Sequence, residues 1–198
     1  VICVLFLTNA FNYFDGLDGT LSFSCMSVLA ILYFLLFDYN FKYLFILLII
    51  PLSVFLFFNF RIFNLPKLFL GDSGSLFYGF LISFLLIHIA SLNIIHPILL
   101  ACSIVIFVYE FLSINIIRIK NKIDPFRAGK DHLHHVLLKK FKSKLTVNLI
   151  IVTLNFLLFI IGYLSFYLLN ALASFILYLI FFIFFLIIRD ISARKLSI

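Results

Sequence analysis

Long apolar segments separated by short polar connections constrain the fold of this chain more than any other feature of its sequence. A helical crossing of a bilayer needs about 20 apolar residues. Six segments approach that length, and they lie near residues 20–37, 41–59, 75–92, 97–117, 146–168 and 171–188, after a partial span at 1–8. Hydrophobic residues make up 65% of the chain, against roughly 45–50% in soluble domains. The sequence therefore predicts an all-α fold, a polytopic transmembrane helical bundle forming a single integral membrane domain over residues 1–198.

The longer polar connections should all lie on one side of the membrane, because each is separated from the next by two crossings. They comprise residues 9–19, 60–74 and 118–145, together with the tail 189–198. Of the 15 lysines and arginines, only Lys42 falls on the other side. Because cytoplasmic loops are rich in lysine and arginine, these connections are predicted to be cytoplasmic. The net charge of +7 then indicates a basic rim beside anionic lipid headgroups, and nucleic acid is not expected as a partner.

The first polar motif follows the partial span and repeats a polar residue every third position. Its members are Asn9, Asn12, Asp15 and Asp18, with Gly16 and Gly19 between and after the acids. On a helix, residues at this spacing lie on one stripe, where carboxylates can share a hard cation or bind a polar substrate. The glycines leave room for a bulky ligand or for the backbone to turn. A solvated loop is the alternative, but four polar residues in register at a membrane boundary favour a functional site.

The second motif is Leu70-Gly-Asp-Ser-Gly-Ser-Leu76, immediately before an apolar segment. A functional interpretation makes Asp72 a metal ligand, with Ser73, Ser75 and the helix N-terminus facing phosphate oxygens. An ordinary helix N-cap explains the same residues.

The third motif lies in the largest basic connection, within residues 124–135. His132 and His135 are three residues apart and are predicted to share a helix face, with His134 turned away. A zinc site is one interpretation, although no cysteine is nearby to complete it. The other is a grip on phosphate by the imidazoles with Arg127 and Lys130. A surface loop with chance histidines is the weaker alternative.

Several charged residues outside the motifs remain open to more than one interpretation. Glu110 lies inside an apolar segment, where a carboxylate must pair with a cation from another span or line a site. Asn59 and Lys67 precede Asp72 and are assigned either to substrate binding or to interfacial anchoring. The lysines from 139 to 144 are predicted to mark the cytoplasmic end of the next span, and Arg189 is assigned to an ordinary tail.

Together, acids for a divalent cation, a bent aspartate turn and a basic histidine loop on one membrane face suit phosphoryl transfer. Such chemistry depends on positioning and on neutralising phosphate charge. Mg²⁺ is the natural metal for a site of carboxylates and phosphates. One substrate is expected to be a lipid phosphate and the other a soluble nucleotide.

The motifs resemble those of the polyprenyl-phosphate N-acetylhexosamine-1-phosphate transferases, a branch of glycosyltransferase family 4. The matching stretches are Asn9-Ala-Phe-Asn-Tyr-Phe-Asp-Gly-Leu-Asp-Gly19, Leu70-Gly-Asp-Ser-Gly-Ser75, and Pro125-Phe126 followed by Asp131-His-Leu-His-His135, in the family's order. The resemblance covers essentially this whole chain, but only the C-terminal half, or somewhat more, of the family. It implies a multi-pass enzyme of the bacterial cytoplasmic membrane that moves a sugar-1-phosphate from a UDP-sugar to undecaprenyl phosphate and releases UMP. Dimerisation is common in the wider family, so a homodimer is also implied.

The resemblance also implies roles for the motif residues. Catalytic roles fall to Asp15, Asp18 and Asp72, and the metal, Mg²⁺ or Mn²⁺ in its place, is assigned to Asp72 with Asp18. Substrate binding falls to Asn9, Asn12, Arg127, His132, His134 and His135. The His-x-His-His form is similar to the branch that uses UDP-N-acetylglucosamine or related sugars for envelope polysaccharides. The peptidoglycan branch, phospho-N-acetylmuramoyl-pentapeptide transferase, ranks second.

One departure from the family pattern concerns an upstream motif of paired aspartates, which this sequence lacks. The chain starts inside an apolar segment at Val1, and we expect it to be the C-terminal part of a longer protein and to be inactive alone. A transporter module is the alternative from another class, since spans with intramembrane polar residues can line a pathway. A degenerate, noncatalytic scaffold is a third interpretation. Transport predicts polar residues spread through the membrane depth, whereas here they gather on one face.

Overall fold

The computed structural model describes residues 1–125, 129 and 131–196, with side chains up to residue 193. This part of the chain is helical and contains no strand, which confirms the all-α prediction. The helices are α1 Ile2–Asn12, α2 Thr20–Leu35, α3 Lys42–Asn59, α4 Gly71–Ser91, α5 Pro97–Ser103, α6 Val105–Lys120, α7 Leu133–Phe141, α8 Lys144–Leu168 and α9 Ala171–Leu196. A short 3-10 turn, Ile62–Asn64, lies between α3 and α4.

Each of the six predicted apolar segments is occupied by helix, but not every one is a straight crossing. Within the described chain, α3, α4, α8 and α9 are long and apolar enough to span a membrane. The α5–α6 pair reaches that length together but is bent by 74°. With 16 residues, α2 is roughly 24 Å long, shorter than the roughly 30 Å hydrocarbon core. The protein is therefore a multi-pass helical bundle, with four such spans among the described residues, or five if the bent pair is one.

The bend between α5 and α6 is stabilised by a side chain from α8. Asn155 is fully buried, and its amide nitrogen donates to the carbonyl oxygen of Ser103 at 3.2 Å and to the hydroxyl of Ser27 at 3.1 Å. Its side-chain oxygen accepts from the backbone N–H of Ile106 at 3.4 Å. A break in a membrane helix frees backbone groups that lipid cannot satisfy, and Asn155 supplies the partners.

The antiparallel helices α1 and α4 pack closely because Gly79 carries no side chain. A Cβ atom at Gly79 would lie 2.8 Å from the Cα atom of Thr8. One turn along the same contact, the hydroxyl of Ser75 donates to the side-chain oxygen of Asn12 at 2.6 Å. Helix packing therefore brings the first and second motifs together.

Described residues from the longer polar connections and from α9 lie together at one end of the bundle. Asp18 pairs there with Lys67 and Lys144, and Lys120 at the end of α6 pairs with Asp190 of α9 at 2.8 Å. We call this the polar end. The connection between α6 and α8 also contains the short helix α7, inside what the sequence delimited only as a polar connection with a helical histidine segment.

Candidate active site

Two acids from different motifs, Asp15 and Asp72, lie near enough at the polar end to interact electrostatically. Asp15 follows α1 and is half-buried, and Asp72 lies exposed in the first turn of α4. Burial, and then the negative charge of Asp72, raise the pKa of Asp15, while a hydrogen bond from the backbone N–H of Gly71 opposes the shift. Gly71 adopts a φ of +63°, a left-handed conformation that glycine accepts readily. The first turn of α4 thus presents both an N–H group and a second carboxylate to Asp15.

The pair Asp15 and Asp72 has the chemistry of a magnesium site. Among the described residues, no lysine or arginine forms an ion pair with either acid. Nor are any three His, Cys, Asp or Glu side chains in that part of the chain arranged to hold a metal ion. Mg²⁺ is commonly bound by one or two carboxylates, with waters and substrate phosphates completing its coordination. Asp15 and Asp72 repel each other when no cation is present, and Mg²⁺ would neutralise that repulsion. The two residues therefore fit this ion.

Asp18 was also assigned to the metal, but its carboxylate is paired with two lysines. Its carboxylate accepts from Lys67 at 2.9 Å and from Lys144 at 2.7 Å. Burial raises the pKa of Asp18, but the hydrogen bonds and charges of the two lysines outweigh it and lower that pKa overall. The structure thus brings Asp72 to Asp15, and it brings lysines to Asp18.

Gly19 and Asn148 fix the backbone around Asp18. Gly19 has a φ of +78° and ends the turn just before α2. The amide of Asn148 donates to the carbonyl oxygen of Asp18 at 2.9 Å, and its side-chain oxygen accepts from the hydroxyl of Thr20 at 2.7 Å. The first motif is therefore tied to the beginning of α8.

His134 connects the third motif to the first. Its side chain is 1% exposed, and a Cβ atom at Gly16 would lie 2.4 Å from its Nε2 atom and 3.3 Å from the Nε2 atom of His135. The Nε2 atom of His134 has no hydrogen-bond partner among the described residues. Gly16 thus allows two imidazoles to approach the backbone beside Asp15.

His132 and His134 are both uncharged at neutral pH. Burial lowers the pKa of His132 to about 4, and burial also lowers the pKa of His134 well below its usual value. The ring of His132 packs edge-on against Tyr13 with the centroids 4.8 Å apart. Neutral imidazoles can each donate one N–H to a phosphate oxygen.

The arrangement of the histidines differs from the expected shared helix face. Because α7 begins at Leu133, His132 precedes the helix and the spacing of three residues does not align it with His135. The ring centroids of His132 and His135 are 6.5 Å apart, whereas those of His134 and His135 are 4.3 Å apart. The prediction that His134 turns away was therefore wrong.

The remaining residues that were predicted to bind substrate are Asn9, Asn12 and Arg127. Asn9 is exposed one turn before Asn12, and its amide donates to the carbonyl oxygen of Leu5 in its own helix at 2.7 Å. Arg127, together with Lys130, lies outside the described residues, so its role stays a prediction. Asn12 contacts the second motif through Ser75 at 2.6 Å.

An open cleft adjoins the acids. It encloses about 560 Å³ including its mouth. It is lined by residues of the first motif, the start of α2, the second half of α3 and the segment that leads into α4, namely Asp15, Gly16, Leu17, Asp18, Gly19, Leu21, Ser22, Phe55, Asn59, Phe69, Leu70 and Gly71. The side-chain oxygen of Asn59 is buried there without a hydrogen-bond partner in the described structure. The cleft therefore combines apolar walls with acidic and amide groups.

Three residues at this end have partners that the sequence did not identify. Lys144 was assigned to the end of a span, and Arg189 to a tail, because both follow the pattern of interfacial cations. Glu110 does pair with a cation from another helix, as one interpretation expected, and that cation is Arg189, at 3.0 Å. These contacts join residues 79 and 126 positions apart, and no local pattern indicates them.

Comparison with known proteins places this site in a family. Residues 1–90 match the family model of glycosyl transferase family 4. The chain is 34% identical over 146 residues to the "Probable undecaprenyl-phosphate N-acetylglucosaminyl 1-phosphate transferase" of Bacillus subtilis (strain 168), an alignment covering 70% of this chain and 39% of the relative. It is 30% identical over 140 residues to the "Undecaprenyl-phosphate alpha-N-acetylglucosaminyl 1-phosphate transferase" of Escherichia coli (strain K12), covering 66% of this chain and 37% of the relative.

The chain thus spans less than two fifths of the length of these relatives. No solved structure matches it. The family match covers residues 1–90 and so includes both the first and second motifs, which contact each other through Asn12 and Ser75. From these matches and the motifs that carry them, the chain belongs to glycosyl transferase family 4.

Proposed function

We propose that this protein transfers a sugar-1-phosphate from a UDP-sugar to undecaprenyl phosphate and releases UMP. The sugar is N-acetylglucosamine or a related N-acetylhexosamine, and the product enters cell-envelope polysaccharide synthesis at the cytoplasmic face of a bacterial inner membrane. One observation carries the proposal: three motifs far apart in sequence come together at the polar end, where Ser75 donates to Asn12 at 2.6 Å and His134 lies against Gly16. The names of the relatives support the same acceptor and the same sugar phosphate.

In this proposal the acids and the histidines have different roles in phosphoryl transfer. An oxygen of the lipid phosphate attacks the β-phosphorus of the UDP-sugar, and the bond from that phosphorus to the bridging oxygen breaks, so that UMP leaves. Asp15 and Asp72 would hold Mg²⁺, which supplies neutralisation of the phosphate charge when bound. His132 and His134, uncharged at neutral pH, would donate N–H groups to phosphate oxygens.

The position of the site supports a lipid substrate. The acids and histidines lie at one end of a bundle whose other surfaces are mostly apolar, so a phosphate at headgroup level can reach them while its hydrocarbon chain stays in the bilayer. This clustering argues against the transporter alternative, which requires polar residues through the membrane depth.

The test is lipid-dependent release of UMP by membranes from cells that express the protein from its native gene. UDP-N-acetylglucosamine, undecaprenyl phosphate and Mg²⁺ are supplied, and UDP-N-acetylmuramoyl-pentapeptide is offered as a competing donor. Asp72→Asn is expected to lower turnover about a hundred-fold or more, because it removes one carboxylate charge from the proposed metal site. The matched control is Asp38→Asn, at an exposed acid in the turn at the opposite end, and it should leave turnover unchanged.

Two results would contradict the proposal. If no UDP-sugar gives lipid-dependent UMP release, the transferase function is wrong. If Asp72→Asn retains full turnover, the protein is a transferase whose metal site lies elsewhere. Preference for the muramoyl-pentapeptide donor would move the protein to the peptidoglycan branch.

A further inference from the structure

A buried ion pair links α6 to α9 next to the histidine motif. The guanidinium of Arg189 donates from Nε to Oε2 of Glu110 at 3.0 Å, and from Nη2 to Oε1 at 3.0 Å. The two side chains are 3% and 1% exposed. Such a pair seldom gains stability over an apolar replacement, because both charges lose their hydration. Its presence therefore calls for a reason other than stability.

The same two side chains also bind the backbone on either side of His132. Oε1 of Glu110 accepts from the N–H of Leu133 at 2.8 Å. Nη2 of Arg189 donates to the carbonyl oxygen of Asp131 at 2.6 Å. The ion pair thus fixes the two peptide groups that flank His132, at the point where α7 begins.

A second arginine completes this arrangement from α6. Arg118 binds the carboxylate of Asp131 with two hydrogen bonds, from Nε at 2.9 Å and from Nη2 at 2.8 Å. It also donates from Nη1 to the carbonyl oxygen of Pro125 at 2.6 Å, which the hydroxyl of Tyr13 contacts at 3.1 Å. Bidentate contacts of this kind restrict orientation as well as distance. The segment 131–133 is therefore held from α6 and α9, and is joined to the first motif through Tyr13.

We propose that Glu110 and Arg189 are positioning residues of the transferase site, which hold segment 131–133 so that His132 and His134 face the acids of the first motif. The role in turnover rests on the function proposed above. The role in holding the segment does not, because it follows from contacts in the resting protein. On this account α9 contributes to the site although none of its residues belongs to the three motifs.

The first experiment measures hydrogen exchange in the purified full-length protein, for peptides covering residues 131–136. Arg189→Met is expected to raise exchange there about ten-fold, since the charged partners of this backbone are lost or displaced. Peptides from α3, which is not part of the Glu110–Arg189 pair or of segment 131–133, should exchange as before. The matched control is Lys120→Gln, which breaks the exposed pair with Asp190 between the same two helices and should leave both regions unchanged.

The second experiment separates positioning from stability by using Glu110→Met combined with Arg189→Met. Each single variant strands one buried charge, so its thermal midpoint should fall, whereas the double variant removes both charges and should recover much of that midpoint. Turnover should stay about a hundred-fold low in the double variant, because the histidines remain misplaced. Arg189→Lys keeps the charge but not the forked contacts, and it is expected to have intermediate turnover.

Each outcome of these experiments supports or overturns the positioning role of Glu110 and Arg189. Recovery of turnover together with the midpoint in the double variant would make the pair purely structural and overturn the proposal. Unchanged exchange at 131–136 in Arg189→Met would also overturn it. If the wild-type protein releases no UMP with any donor, the proposed transferase function fails, and the exchange experiment still decides whether the pair holds the segment.

Discussion

At the scale of single residues, the site depends on the absence of a Cβ atom at Gly16. Gly16 was expected to leave room for a ligand or for a turn, and the space beside it is filled by the imidazole of His134, whose Nε2 would lie 2.4 Å from a Cβ atom. Real Cβ atoms do not approach so closely, so any side chain at position 16 must displace the ring. The glycine of the first motif and the central histidine of the third therefore act together.

The substitution Gly16→Ala should lower turnover about ten-fold or more, because a shift of the ring by a fraction of an ångström misplaces a substrate contact. The control is His134→Ala, alone and combined with Gly16→Ala, in the assay for UMP release. If Gly16 acts through His134, adding Gly16→Ala to His134→Ala should cost no further turnover. Additive losses would show that the glycine serves the backbone rather than the histidine.

At the scale of helices, the bend between α5 and α6 depends on one amide. Asn155 satisfies groups on α2, on the last turn of α5 and on the first turn of α6. The bend in turn sets the course of α6, which carries Glu110 and Arg118 to the histidine segment. A polar side chain in the middle of α8 therefore influences the site without touching it.

We expect Asn155→Leu to destabilise the protein by about 1–3 kcal/mol, because it leaves buried backbone groups without a partner. The measurement is the thermal unfolding midpoint in detergent. Ser83→Ala is the control, since the buried hydroxyl of Ser83 donates to a carbonyl of its own helix at 2.7 Å, and it should change stability by less than about 0.5 kcal/mol. Equal effects of the two substitutions would contradict a special role for Asn155.

The sequence predicted the helices well and their interruptions poorly, for a physical reason. Apolar length alone decides whether a segment enters lipid, so the six segments could be located without a structure. The bend of 74° depends on a partner in another helix, and α7 is a nine-residue helix inside a polar connection with no span signal. Likewise, the spacing of the acids indicated a candidate site, but the lysines on Asp18 and the partner of Glu110 follow only from packing.

At the scale of the whole molecule, basic residues and the candidate site lie at the same end of the bundle. Lys67, Lys144 and the Lys120–Asp190 pair lie there, together with the motifs. The opposite end consists of short turns, such as the one that contains Asp38. This asymmetry gives the protein a defined orientation, with the basic end expected in the cytoplasm.

Cysteine labelling in a background without the three native cysteines tests that orientation. Lys139→Cys lies on the exposed surface of α7, and Asp38→Cys lies in the exposed turn at the other end. In intact spheroplasts, a membrane-impermeant thiol reagent should label Asp38→Cys but not Lys139→Cys. Lys139→Cys should react only once the membrane is opened, and the reverse pattern would invert the proposed topology.

The bend in α5–α6 also sets an order of events during synthesis. Its amide partner follows Ser103 by 52 residues, and Arg189 follows Glu110 by 79. At about 5–20 residues per second, the ribosome needs roughly 3–10 s to deliver Asn155 after Ser103. During that interval the bend lacks the amide of Asn155 and the carboxylate of Glu110 lacks Arg189, so both contacts can form only after α8 and α9 have been synthesised.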